Sequence, residues 1–289
     1  MPSEKRQRQD EGRLARLEQK QLDDRRRQRR RQLRSLGLLL GALVVVALLI
    51  SVLSGDDDET EVSSEGTTTT QEDGATTSTD GAASHVEVPL PDPGASITGD
   101  TPCPAEDGSS ERTTSFEKAP PTCIDEGVTY TATVDTTEGP IVIELDSAAA
   151  PITVNNFIVL ARYHFYDGVA FHRIIPGFMN QAGDPVGPSP GSGGPGYSIP
   201  DELPSGEEPY PTGTLAMANT SAPNTGGSQW FIVVEGGGER LSPTYTAFGH
   251  VTQGQEVVDE INKHGDGDPA ANGAPTKLVT IKTITIAES

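Results

Sequence analysis

Positive charge is scarce over most of this chain. Lys and Arg number 21 against 42 Asp and Glu, and the shortfall is uneven. Residues 1–35 carry a net charge of +7, residues 54–127 of −16 and residues 128–289 of −12. So acidic a surface repels a phosphate backbone, which argues against nucleic acid as a partner. Cysteine is scarcer still, at Cys103 and Cys123 alone. Their spacing is not that of a CxxC redox pair, and no neighbouring run of histidines supplies a zinc set. The glycine-rich stretch Ser189–Gly196 lacks a Gly-Lys-Ser/Thr ending and precedes no helix, which argues against a phosphate cradle. Gly265-Asp266-Gly267-Asp268-Pro269 lacks the closing glutamate of a calcium loop and reads as a solvated turn. No internal repeat is present.

One long apolar run exists, Leu36–Leu53, interrupted only by Gly37, Gly41 and Ser51. Eighteen residues at 1.5 Å rise give about 27 Å, close to the roughly 30 Å hydrocarbon core of a bilayer. The run predicts a single transmembrane helix with the lipid bilayer as its partner; a cleaved signal peptide is the rival reading. Arg25–Arg31 and Arg34 precede it, while Asp56, Asp57, Asp58 and Glu59 follow. The positive-inside rule then puts the N-terminus in the cytoplasm and everything after residue 54 outside. Both cysteines fall in that outer compartment, where disulfides persist. A disulfide closing a short loop is the economical expectation, and two free thiols are the alternative.

Composition divides the chain into a basic cytoplasmic segment (1–35), the span (36–53), an acidic Thr/Ser-rich linker (54–100), a loop-rich lead-in with the cysteine pair (101–127) and a folded domain (128–289). The linker has too few apolar residues to offset its ordering entropy and is expected to be disordered. From Val128 the texture changes. Tyr130, Ala132 and Val134 alternate with polar residues, Gly139-Pro140 marks a turn, and Ile141–Leu145 completes a hairpin. Pro151 opens a helix with Val154, Phe157, Ile158 and Ala161 on one face, and Gln255–Lys263 is a second. Further short strands are expected over Ala170–Ile175, Phe178–Ala182, Leu215–Ala218, Trp230–Val234, Ala247–Val251 and Leu278–Ile286, and residues 184–213 are mostly loop. Many short strands and two helices predict a mainly β fold, a closed or nearly closed antiparallel barrel with its ends covered by the helices.

Two blocks carry a family resemblance. The first is Phe171-His172-Arg173-Ile174-Ile175-Pro176-Gly177-Phe178-Met179-Asn180-Gln181-Ala182-Gly183-Asp184. The second pairs Leu215-Ala216-Met217-Ala218-Asn219 with Asn224-Thr225-Gly226-Gly227-Ser228-Gln229-Trp230-Phe231-Ile232, ahead of Ala247-Phe248-Gly249-His250-Val251. Together they resemble the signature of the cyclophilins over residues 128–289. The resemblance implies an eight-stranded antiparallel barrel capped by two helices, and peptidyl-prolyl cis-trans isomerase activity on proline-containing polypeptides. A proline-peptide binding module or chaperone on the same barrel is the alternative function, and a monomer is expected.

That chemistry suits these residue types. An X–Pro bond turns slowly because partial double-bond character sets a barrier of about 18–20 kcal/mol. No bond breaks, so no nucleophile, metal or cofactor is needed; the enzyme must bind the twisted amide better than either planar form. The resemblance assigns Arg173 as donor to the nitrogen lone pair that twisting localises, Gln181 as its orienting partner, and Phe231 to the catalytic set. It places Phe178, Met179 and Leu241, with Phe231, around the proline ring. Ala218, Asn219, Thr220 and Gln229 form the binding strip, Gly191 lines the neighbouring pocket, and Tyr245, also a substrate-binding residue, falls where the family often has a histidine. His172 reads as structural, since the reaction needs no general base. Arg240 stands where many members of the family carry tryptophan, which argues against strong binding of the family's inhibitor cyclosporin.

Overall fold

The structure, a computed structural model, describes residues 85–289 apart from 188 and 207–209. The basic segment, the apolar run Leu36–Leu53 and most of the acidic linker lie outside the described residues. Among the described residues no helix is long and apolar enough to cross a membrane.

Among the described residues ten strands and two α-helices follow in order: β1 (Ala95–Ile97), β2 (Thr113–Phe116), β3 (Tyr130–Thr136), β4 (Gly139–Leu145), α1 (Pro151–Arg162), β5 (Arg173–Ile175), β6 (Met179–Ala182), β7 (Thr214–Met217), β8 (Trp230–Val233), β9 (Ala247–Gln253), α2 (Gln255–Asn262) and β10 (Ile281–Glu288). β3 to β10 form one antiparallel sheet in the order β10-β3-β4-β9-β7-β8-β6-β5. It curls around a core in which Val134, Ile143, Phe157, Leu215, Trp230 and Phe248 are fully buried. Phe157, Tyr166 and Phe171 each meet Trp230 with ring centroids 5.8–6.3 Å apart, and such aromatic contacts add to the area they bury.

The expected closed barrel is corrected in one respect. The end strands β5 and β10 share no ladder; the seam is made by residues just ahead of β5. Ala170 bridges Thr280, the Phe171 amide donates to the Val279 carbonyl at 2.9 Å, and the Ile281 amide to Val169 at 2.8 Å. Ala170 and Phe171, which the alternation assigned to the strand, therefore serve the seam, and β5 begins only at Arg173.

Helix α1 has Pro151 in its first turn and no side-chain cap from Ala150. Its open amides are met from a distant loop. The Glu202 carboxylate accepts from the Ile152 amide at 3.0 Å and from the Thr153 amide and hydroxyl at 2.8 Å, where an anion also complements the helix dipole.

A second correction concerns the residues ahead of the barrel. Residues 85–100, assigned to a disordered linker, and the loop-rich lead-in together form an arm containing the parallel pair β1–β2. Phe116 anchors it, 2% exposed among Tyr163, Phe165 and Tyr197. Cys103 and Cys123 are joined in a disulfide, the pairing expected from the sequence.

Candidate active site

Side chains alternate across a strand, so residues facing away from the Trp230 core share the outer surface of the sheet. Register then builds a row. Arg173 on β5 pairs with Gln181 on β6, Gln181 with Phe231 on β8, and Phe231 with Ala216 on β7. Met179 pairs with Val233 one step along the same face. Directly opposed residues stand about 4.5–5.5 Å apart at Cβ, so the ladder alone brings Arg173, Gln181 and Phe231 side by side.

This outer row makes a second apolar cluster, separate from the core. Met179, Tyr210, Ala216, Phe231 and Val233 are buried in it, with Phe178, Ala218, Leu241 and Tyr245 packed against them. The Tyr245 ring meets Phe231 edge to face, centroids 5.3 Å apart. Tyr245 is held in turn by Tyr210, whose hydroxyl donates to the Tyr245 carbonyl at 2.8 Å and accepts from its amide at 3.0 Å.

A chain of polar side chains borders the cluster. Arg173 Nη1 donates to Gln181 Oε1 at 3.3 Å, Gln181 Nε2 to Gln229 Oε1 at 3.0 Å, and Gln229 Nε2 to the carbonyls of Gly191 and Gly193 at 3.0 and 2.8 Å. Arg173 Nε donates to the Asn272 carbonyl at 3.3 Å, fixing the other edge of the guanidinium. Partial burial pulls the Arg173 pKa down while the Tyr245 phenol opposes it; the group stays charged. Its fewer water contacts strengthen whatever hydrogen bond it makes next.

Beyond Gln181 and Gln229 opens a cavity of about 390 Å³, lined also by Gly191, Ala218, Asn219, Thr220 and Tyr197. Its glycine loop is held by the buried Asp184, which accepts from the amides of Val186, Gly187 and Gly193 at 2.7–3.0 Å. A Cβ at Gly191, where φ is +84°, would run against the His172 ring at 2.8 Å. Neither ring nitrogen of His172 has a partner among the described residues. Burial holds its pKa down at about 4, the Arg173 charge adding to this and Asp184 opposing it, so the ring is neutral near pH 7. A larger cleft, about 1040 Å³, lies between the arm and the barrel and contains none of these residues.

Residues 131–286 match the family model described as "Cyclophilin type peptidyl-prolyl cis-trans isomerase/CLD". The chain belongs to the cyclophilin-type peptidyl-prolyl cis-trans isomerases. It is 40% identical over 154 residues to a peptidyl-prolyl cis-trans isomerase of Synechococcus elongatus, covering 53% of this chain and 96% of that one. It is 46% identical over 126 residues to peptidyl-prolyl cis-trans isomerase B of Bacillus subtilis, covering 44% and 85%. Among solved structures it resembles a cyclophilin type peptidyl-prolyl cis-trans isomerase of Cryptosporidium parvum, with a TM-score of 0.50, 28% identity, and 56% and 99% of the two chains covered.

Every site residue named from the sequence thus lies in one of two adjoining places on the cyclophilin domain. Arg173, Phe178, Met179, Phe231, Leu241 and Tyr245 gather at the apolar cluster, and Gly191, Asn219, Thr220 and Gln229 at the cavity, with Gln181 and Ala218 between them. Sequence reading missed Tyr210, Asp184 and the Asn272 carbonyl. Asp184 closes the first motif and precedes a glycine-rich loop, a placement that suits a carboxylate gathering backbone amides; nothing local marks the other two.

Proposed function

We propose that residues 128–289 isomerise X–Pro bonds of polypeptides outside the cytoplasm, tethered by a span at residues 36–53. The single observation behind the catalytic reading is the Arg173–Gln181 hydrogen bond, set by strand register at the edge of the Met179–Phe231 cluster. The cluster takes the proline ring. Arg173, oriented by Gln181 and Asn272, donates to the amide nitrogen as its lone pair localises in the twisted state. Gln181, Gln229 and the Asn219–Thr220 segment receive the flanking backbone.

The magnitudes are consistent with this division of labour. Raising the rate from once in tens to hundreds of seconds to about 10–1,000 per second needs roughly 3–7 kcal/mol. One charge-assisted hydrogen bond supplies about 1.5–3 kcal/mol. The rest comes from holding the proline ring and its neighbours in the twisted geometry.

The test is kcat/KM of the intact protein and Arg173→Ala in a protease-coupled proline-peptide assay. Equal values in two folded proteins would remove Arg173 from the mechanism and leave a peptide-binding module. The charge asymmetry about Leu36–Leu53 supports an N-terminus in the cytoplasm, and the disulfide supports an oxidising compartment for the domain. Protease added to spheroplasts is expected to release the domain; protection of the domain would reverse the topology.

A further inference from the structure

Residues 128–289 hold six basic side chains. Four are ion-paired: Arg162 with Glu288, Lys263 with Glu260, Lys277 with Glu138 and Lys282 with Asp135. Arg173 and Arg240 are the two that pair with no carboxylate among the described residues, and both border the proline pocket. In a domain of net charge −12, two cations at one groove with no carboxylate partner among the described residues mark a place where negative charge is welcome.

Arg240 is held in place by its loop. Glu235–Arg240 contains three successive glycines, and a Cβ at Gly237 would run into the Phe178 carbonyl, one at Gly238 into the Tyr210 carbonyl. Only glycine lets the loop lie this close against the pocket wall. The loop ends in a 3₁₀ turn, Gly238–Arg240, which places the exposed Arg240 with its guanidinium carbon 4.5 Å from the Phe178 ring centroid. Stacking on an aromatic face orients the guanidinium; its Nη1 donates to the Gly177 carbonyl at 3.5 Å, and the remaining N–H groups are left for an anion. Leu241, the next residue, packs on the pocket cluster. The cavity lining, from Gly191 to Gln229, includes neither Arg240 nor Phe178.

We propose that Arg240 is a specificity residue that recognises an acidic side chain of the substrate, in the segment leaving the proline pocket away from the Gly191–Ala218 cavity. This rests on the pocket assignment above. An exposed charge pair of this kind changes affinity by about two- to five-fold, more at low salt than at high.

The experiment compares proline peptides carrying Glu or Gln at the positions just before and just after the X–Pro pair. It reads both kcat/KM and equilibrium binding by fluorescence anisotropy, for native protein, Arg240→Gln, Arg240→Lys and Lys282→Gln. The native protein is expected to prefer Glu by about two- to five-fold on one flank only, in KM and Kd rather than kcat. Arg240→Gln brings the Glu/Gln ratio to about one and Arg240→Lys keeps part of it. Lys282→Gln, which removes the same charge elsewhere, leaves the ratio in place. A ratio of one on both flanks in the native protein, or a preference that survives Arg240→Gln, overturns the proposal. Arg240-dependent binding without isomerisation would uphold the recognition and refute the catalytic reading instead.

Discussion

Two regions of the described chain are stabilised in different ways. In the barrel, strands such as β3 and β4 bury alternate residues, Tyr130, Ala132, Val134 and Thr136 on one and Ile141, Ile143 and Leu145 on the other. In the arm of residues 85–127, Thr101, Pro104, Thr113, Thr114 and Phe116 are the only residues buried. The arm is held by polar clasps instead. Arg112 donates to the carbonyls of Asp92, His164 and Asp167, the Phe116 amide to Pro195, and the Asn155 side chain bridges the Cys123 amide and the Pro121 carbonyl. The barrel draws its stability from burial, which is distributed. The arm depends on a few points, each of which can be removed singly.

The largest effect is expected at Phe116, the arm's member of the buried core cluster, against which Ile97, Cys123 and Ile124 pack only partly buried. Phe116→Ala should cost about 3–5 kcal/mol in chemical denaturation, because its ring fills space among Tyr163, Phe165 and Tyr197. A loss under about 1 kcal/mol would mean that the arm is only loosely laid on the barrel. Next comes the disulfide, with a sequence separation of 20. Replacing both cysteines by serine should cost about 3 kcal/mol in the chain-entropy model. The comparison becomes sharp if faster hydrogen exchange is confined to residues 101–127 while β3 and β4 stay protected. Exchange rising equally throughout would make arm and barrel one cooperative unit.

A pH effect is expected from His172. Its pKa is about 4 when folded, against an ordinary 6.5. As pH falls through 6.5 the unfolded chain takes up a proton that the buried ring does not, so stability is lost between about pH 6.5 and 4 and levels off below. The whole effect is about 3 kcal/mol at most. His172→Gln should flatten that part of the stability curve; an unchanged slope would show that other groups produce it. The smallest effect on folding is expected at the pocket wall. Arg173→Ala should lower kcat/KM about 10- to 150-fold, equivalent to about 1.5–3 kcal/mol of transition-state stabilisation, with the melting temperature little changed. A large drop in melting temperature would make the arginine a structural residue.

Strands β3 and β4 were legible because burial imposes period two on them, and Tyr130–Leu145 shows that pattern directly in the sequence. The pocket was legible because the motif places Arg173, Gln181 and Phe231 on strands whose register makes them neighbours. β1 and β2 were not. Ala95–Ile97 and Thr113–Phe116 are too short and polar to show a period, and their order comes from Phe116, Arg112 and the disulfide, contacts distant in sequence. For the same reason Glu202 as the cap of α1 and Asn272 as a support of Arg173 were missed: each acts on a backbone group or through one, at long range. The seam at Ala170–Thr280 was also hidden, since alternation marks a strand without saying where it changes partner.

The pairing of β10 with β3 has a kinetic consequence. Ile286 lies opposite Ala132 and Glu288 opposite Tyr130, and Thr129 and Ser289 exchange backbone hydrogen bonds in both directions at 3.0 Å. The strand that emerges first from the ribosome in this sheet therefore waits for the strand that emerges last. Hairpin β3–β4 and helix α1 can form early, but Val134 and Ile143 stay partly uncovered until residues 281–288 arrive. Contacts this distant in sequence put the loop-closure cost ahead of the reward, which sets a slow folding step. This prolyl isomerase domain would thus pass through a long unfinished stage of its own, with strand edges open to aggregation.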